Sequence, residues 1–267
     1  GIVTIDGQPA SDGDIVAAFV EDECRAVNNV IINDGKTYVT LLIQGETKED
    51  IRFKIGDVSE CKVYDVCRMI QADPGNTIGT PPNYLPMEPC IDQTLNLNMG
   101  WNLISFYVNF DDMSPTSVFD PVKSDLLQVK STTQSYDPNV PPFLNTLQNL
   151  QEGYGYWVKV NNPVQLTSTG LPLDSVSIQL NAGWNLVAYP HQQNQSVSSA
   201  VNSIASGLLQ VKSTTQSYDP NVPAFLNTLQ NFEPGKGYWV KVSDAVSLTY
   251  PEPVNLQSAM LQIGRAS

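Results

Sequence analysis

Histidine is almost missing from this chain: one in 267 residues, His191. A Ser-His-Asp or Cys-His set needs a base beside its nucleophile, and a lone histidine in the turn-like Pro190-His191-Gln192-Gln193 supports neither. Cysteine is absent after the first third; Cys24, Cys61, Cys67 and Cys90 are the only four, and no CxxC pair occurs among them. With the histidine far from the cysteines, a zinc site is not expected. Basic residues are scarce: 14 Lys and Arg stand against 27 Asp and Glu, a formal net charge of −13. That balance argues against nucleic acid, whose binders carry a basic surface. Acid is spread along the chain and reads as a solvating surface. No apolar stretch approaches the ~20 residues that a membrane-spanning helix requires. There is no initiating Met and no signal peptide ahead of Gly1, so the sequence reads as a mature or excised piece.

An even, clustered set of cysteines beside a cysteine-free remainder predicts one or two disulfides formed in an oxidising compartment. Three pairings of two bridges are open. A 61–67 bridge is excluded if those residues share one strand, because the Cα atoms would then lie too far apart. Cys24 and Cys90 are expected to take part in longer-range bridges.

What the chain has in abundance is repetition. Residues 126–149 read LLQVKSTTQSYDPNVPPFLNTLQN, and residues 208–231 read LLQVKSTTQSYDPNVPAFLNTLQN. They differ only at Pro142 against Ala224. Cores accept many hydrophobic exchanges if volume and pattern are kept, so a fold does not demand such identity. The preceding stretches have diverged freely. Either the segment was copied recently, or both copies present one surface to equivalent partners. In the second case the interface residues are Lys130, Thr132, Gln134 and Tyr136, with Lys212, Thr214, Gln216 and Tyr218.

The repeat organises the chain into residues 1–90, 91–172, 173–252 and 253–267. In the first part, strands are expected over 2–5, 15–20, 37–43, 51–55 and 62–70, rich in β-branched and aromatic residues and separated by Asp-Gly and Pro-Gly turns. Several short strands at this spacing read as an antiparallel β-sandwich. Each later part opens on a strand after a glycine turn, Gly100-Trp101-Asn102-Leu103-Ile104 and Gly183-Trp184-Asn185-Leu186-Val187. Each closes on another, around Tyr156-Trp157-Val158 and Tyr238-Trp239-Val240. Between them Ser196 caps a helix presenting Val197, Ala200, Val201 and Ile204 on one face; 114–122 is its counterpart, interrupted by Pro121. The expected fold is therefore all-β with minor short helices: a β-sandwich followed by two duplicated β-rich domains.

The residues Ile5-Asp6-Gly7, Gly13 to Val20, Glu23-Cys24-Arg25, Ile51 to Lys54 and Ile78-Gly79-Thr80-Pro81 resemble a β-sandwich module of large secreted bacterial surface proteins, of the kind exported by the type IX pathway. The later parts resemble the "GWNLIS … GYWVK" repeats of the same kind of protein. Together the resemblances cover nearly the whole chain. They imply an extracellular or cell-surface location and carry over no catalytic residue. Modules of the first type begin with an earlier strand that runs into the "vtIDG" strand. Residues 256–263, LQSAMLQI, resemble that strand. Joined tail to head, the sequence reads as an intact module start.

Two functions compete on this reading. One is a non-enzymatic structural subunit of a surface fibre, built of copies joined head to tail by strand complementation. Its donor residues are Leu256, Ala259, Met260, Leu261 and Ile263, and its acceptors are Ile2, Thr4, Val16, Ala18 and Val20. The other is a polysaccharide-binding or adhesive accessory module with an exposed aromatic platform at Trp157 or Trp239. No cofactor is implied. Calcium is the one metal that the residue types permit, at Asp6, Asp12 and Asp14, although the Asp12-Gly13-Asp14 stretch is equally explained as a turn. The acid pairs at 21–23 and 111–112 read as exposed charge. Asp174-Ser175-Val176 and Asn194-Gln195-Ser196 match short glycosylation patterns.

Overall fold

The structure, a computed structural model, describes residues 1–5, 7–173, 176–251 and 253. Asp6, the Asp174-Ser175 pair and the donor residues Leu256, Ala259, Met260, Leu261 and Ile263 lie outside the described residues. The chain is all-β with two short α-helices, and it divides into two compact units, Gly1–Ile91 and Asp92–Ser267.

The first unit is a pair of sheets sharing one core. In one sheet, Ile15–Val20 lies between Glu23–Asn29 and Glu49–Asp57, and Glu49–Asp57 pairs in turn with Lys62–Asp65. In the other, Ile2–Ile5 lies between Pro86–Met87, in parallel, and Lys36–Tyr38. The alternation of each strand puts Val3, Val16, Ala18, Phe53, Ile55 and Met87 inward into one buried cluster. The predicted strands 2–5 and 15–20 are found as drawn. The expected 62–70 strand instead stops at Asp65 and resumes as Ile70–Ala72, because Cys67 between them is held to Cys90.

The second unit contains both repeats. In each, three strands form an antiparallel core sheet: Gly100–Ile104, Tyr156–Val160 and Leu126–Lys130 in the first, and Gly183–Ala188, Gly237–Val242 and Leu208–Lys212 in the second. The same β-bulge recurs in both, at Leu126/Gln128 and Leu208/Gln210. Ser196 caps its helix as predicted, its Oγ accepting from the Ser199 N–H at 3.3 Å. Val197, Ala200, Val201 and Ile204 are all buried against the sheet. In the first repeat Ser114 does the same for Pro115–Val118, and Pro121 sits inside the following 3-10 turn without breaking it.

The repeats meet through reciprocal contacts. The Ala188 N–H donates to the Gly153 carbonyl at 2.8 Å, and the Ser105 N–H donates to the Gly235 carbonyl at 2.9 Å. These donors and acceptors are equivalent positions of the two repeats, so the junction has approximate two-fold symmetry. Glycine is required where the chains touch. A Cβ on Gly155 would lie 2.9 Å from the Val187 carbonyl oxygen, and one on Gly237 would lie 2.8 Å from that of Ile104. Ser105, fully buried, also donates its hydroxyl to the Lys236 carbonyl at 2.8 Å.

Candidate functional site

The bulged sheet of each repeat has one face in the core and one face outward. Strand alternation sends Val129, Val158 and Val160 inward and Lys130, Trp157 and Lys159 outward. Register then sets the neighbours. Trp101 lies opposite Lys159 and Lys159 opposite Gln128; in the next row Leu103 lies opposite Trp157 and Trp157 opposite Lys130. The two indoles meet edge to face, with centroids 6.4 Å apart. Lys130 Nζ and Lys159 Nζ stand 5.2 Å and 5.7 Å from the Trp101 ring centre. The second repeat reproduces this: Trp184 and Trp239 at 6.5 Å, with Lys212 and Lys241 at 5.1 Å and 5.7 Å from Trp184.

The more exposed indoles are therefore not the two named from sequence. Trp157 and Trp239 are half-buried between lysines, while Trp101 and Trp184 are the more exposed indoles, at 41% and 40%. They sit on the strand at the sheet edge, where one flank is open. Register across three strands decides this, and a one-dimensional pattern does not carry it.

The near-identical segment continues from this face into a tightly braced loop. Ser131 Oγ accepts from the Gln134 N–H at 3.0 Å to close the hairpin. The Asn145 side chain then clamps Asp137, accepting from its N–H at 2.8 Å and donating to its carbonyl at 3.1 Å. Asn227 holds Asp219 in the same way, at 2.8 Å and 3.2 Å. At the tip stand Phe143 and Phe225, 83% and 84% exposed. Lys130, Thr132 and Gln134 are exposed, as are Lys212, Thr214 and Gln216; Tyr136 and Tyr218 are half-buried.

The repeats differ at many positions outside the 24-residue segment and at one within it. Buried positions have drifted: Phe106 against Tyr189, Phe119 against Val201, Leu150 against Phe232. Within the 24-residue segment buried and exposed positions alike are retained, and the one exchange, Pro142 against Ala224, is at an exposed position. Packing constrains cores, and only contact constrains exposed side chains.

The remaining sequence candidates have structural duties. Asp14 is buried, and its carboxylate accepts from the Ser11 N–H at 2.7 Å and the Val58 N–H at 3.0 Å, tying two turns together. Asp12 is exposed. Among the described residues no group of three or more metal-ligating side chains is found. Asp112 caps the first repeat's helix region, and the hydrogen bond from the Ser114 backbone holds its carboxyl below the usual range. His191 is half-buried, edge-on to Tyr189 at 5.4 Å and Tyr250 at 6.2 Å. Asn194 is exposed. Cys90 pairs with Cys67, 23 residues away in sequence, with Cα atoms 4.9 Å apart. The expected long-range bridge from Cys24 is not formed: Cys24 and Cys61 are free, exposed thiols. Cys24 lies beside Phe19, whereas Cys61 lies in the turn next to Asp14. Five residues of strand, roughly 16 Å, separate those ends, well beyond disulfide reach.

The predicted acceptor divides into two groups. Val16 and Ala18 are fully buried on a central strand whose two edges are already paired, so no incoming strand can join it there. Ile2 and Thr4 are paired as well, and Val20 is half-buried at the core margin. The open edge lies elsewhere. The predicted 37–43 strand is paired only as Lys36–Tyr38. Val39 and Gly1 exchange one further pair of hydrogen bonds, at 3.0 Å and 2.7 Å. After that, residues 40–44 have no ladder partner among the described residues, yet their burial still alternates: Leu41 and Ile43 pack against the core, and Leu42 is 83% exposed. Only side chains reach this stretch, Asn28 at the Thr40 carbonyl and Arg25 at the Gln44 carbonyl.

No family model, curated protein or solved structure matches this chain.

Proposed function

We propose that this protein is a non-enzymatic, extracellular structural subunit that assembles head to tail into a surface fibre by strand complementation. The observation that carries the reading is the unpaired, alternately buried stretch 40–44. An edge that already has one face on a core, but no main-chain partner, is a hazard unless something covers it. In an antiparallel ladder, hydrogen-bonding groups point the same way at every second residue. Val39 bonds toward Gly1, so Leu41 and Ile43 offer their N–H and C=O groups along the continuation of the Ile2–Ile5 strand. A strand there would complete the sheet and cover Leu41 and Ile43.

The donor we assign is 256–263 of a neighbouring copy, whose apolar residues Leu256, Ala259, Leu261 and Ile263 suit insertion against a core margin. The contact is heterologous, so it propagates into an open filament unless it closes into a ring. The Cys67–Cys90 disulfide is compatible with an oxidising, extracellular setting.

The test is electron microscopy and sedimentation of the full chain and of a chain ending at Pro253. The full chain is expected to form filaments and the truncated one to remain dispersed, with a synthetic 254–267 peptide raising the thermal midpoint of the truncated chain. Filaments of normal length from the truncated chain would overturn the proposal.

A further inference from the structure

The second unit has six lysines among its described residues and no arginine: Lys123, Lys130, Lys159, Lys212, Lys236 and Lys241. Two of them follow the ordinary course in an acidic protein and pair with a nearby carboxylate, Lys123 with Asp120 at 2.7 Å and Lys236 with Glu233 at 2.6 Å. The other four do not. Lys130, Lys159, Lys212 and Lys241 form no ion pair among the described residues and converge in twos on the exposed Trp101 and Trp184. An exposed cation–π contact is worth about 0.5–1 kcal/mol, no more than a surface ion pair. Stability alone therefore gives no reason to keep this arrangement twice.

From this arrangement we infer that the outward faces of the two repeat sheets are twin binding sites for an acidic polysaccharide. The residues supply two complementary chemistries. An ammonium has three donors and no acceptor, and the side-chain nitrogens of these four lysines make no hydrogen bond among the described residues, which leaves their donors for a carboxylate or sulfate. The partly exposed indoles of Trp101 and Trp184 beside them offer an apolar surface to the flat face of a sugar ring. Gln128, opposite Lys159, and Gln210, opposite Lys241, place an amide within the same row for hydroxyl groups. A shallow cleft, lined by Gln134, Asn149, Tyr154 and Leu186, joins the hairpin of the first repeat to the face of the second.

Charge selects among anions. The chain as a whole is at −13, and at physiological salt the field of distant acids is damped over ~8 Å, so the local lysine pairs decide what binds. A nucleic acid presents one charge every few ångström and meets two lysines per face, which favours a sparser polyanion. An acidic peptide has charge but no ring face for the indole.

The experiment is affinity electrophoresis and calorimetry of the full chain at low salt against polygalacturonate, dextran sulfate, neutral dextran, polyglutamate and single-stranded DNA. Polygalacturonate or dextran sulfate should retard the protein, and the stronger of the two identifies the anionic group. Neutral dextran should not, and added salt should weaken binding. Lys→Gln at 130, 159, 212 and 241 together, which keeps the stems on the sheet, should reduce affinity about tenfold or more, the size of a lost charge-assisted hydrogen bond. Trp101→Ala with Trp184→Ala should do likewise, with circular dichroism confirming the fold. Absence of binding to both acidic polysaccharides, unchanged binding by the four-lysine variant, or equal binding of polyglutamate or DNA would each overturn the inference. None of these outcomes bears on strand complementation, which uses residues 40–44 and 256–263 and neither repeat face.

Discussion

Four cysteines of one sequence type end in three different situations. Cys67 and Cys90 are joined, Cys24 sits in a solvent-facing hairpin, and Cys61 occupies a turn at φ 54°. Both free thiols are exposed, so a thiol reagent should titrate two groups per chain without denaturant, and four after reduction and unfolding. A native count of zero would mean that Cys24 and Cys61 are consumed in bridges between copies. Individual side chains were the least legible part of the sequence. The tryptophans could be assigned to strands, but which indole faces water depends on register with two other strands that are distant in sequence. Lys130 and Lys212 stood out only through the repeat, and Lys159 and Lys241 carried no signal, since an isolated lysine in sequence reads as solvated charge. Asp14 looked like a ligand because its neighbours are acidic, and it is instead an acceptor for two backbone amides.

At the scale of elements, the junction between the repeats depends on close main-chain approach. Gly155→Ala places a methyl group against the Val187 carbonyl, and Gly237→Ala places one against that of Ile104. Each should lower stability by about 1–3 kcal/mol, the usual effect of overpacking, read as a lower urea midpoint. Ser105→Ala should cost a similar ~1–3 kcal/mol, because the Lys236 carbonyl loses a buried partner. If all three variants melt like the parent, the two repeats are not held through this contact. Elements were legible where local rules and packing agree. Ser196 followed by apolar residues at helical spacing is both a cap and a core face, and it folded as read. The 37–43 stretch satisfied only the local rule. Its alternation is a true strand pattern, but pairing is not a property of one segment, and residues 40–44 keep the pattern without the partner.

At the scale of the whole molecule, pH reports on the second unit. Burial pushes the Tyr156 hydroxyl up to about 12 and raises those of Tyr238 and Tyr250 as well. In the unfolded chain tyrosine ionises near ~10, so above that pH the unfolded state releases protons that the folded state retains. The stabilisation is complete below ~10 and declines as pH rises toward 12, so thermal midpoints should fall steeply over that interval. Tyr156→Phe should flatten the slope; a slope unchanged by it would place the alkaline sensitivity elsewhere. The two-fold junction has a different kind of consequence. In an association of two separate identical chains, every substitution is made twice, and an asymmetric solution is unreachable. Here one half supplies Ser105 and the other supplies Ala188 at the equivalent place, and the serine bonds across to Lys236 with no mirror-image counterpart. Covalent fusion lets each half of such a pair change alone, as the serine and the alanine at this place have.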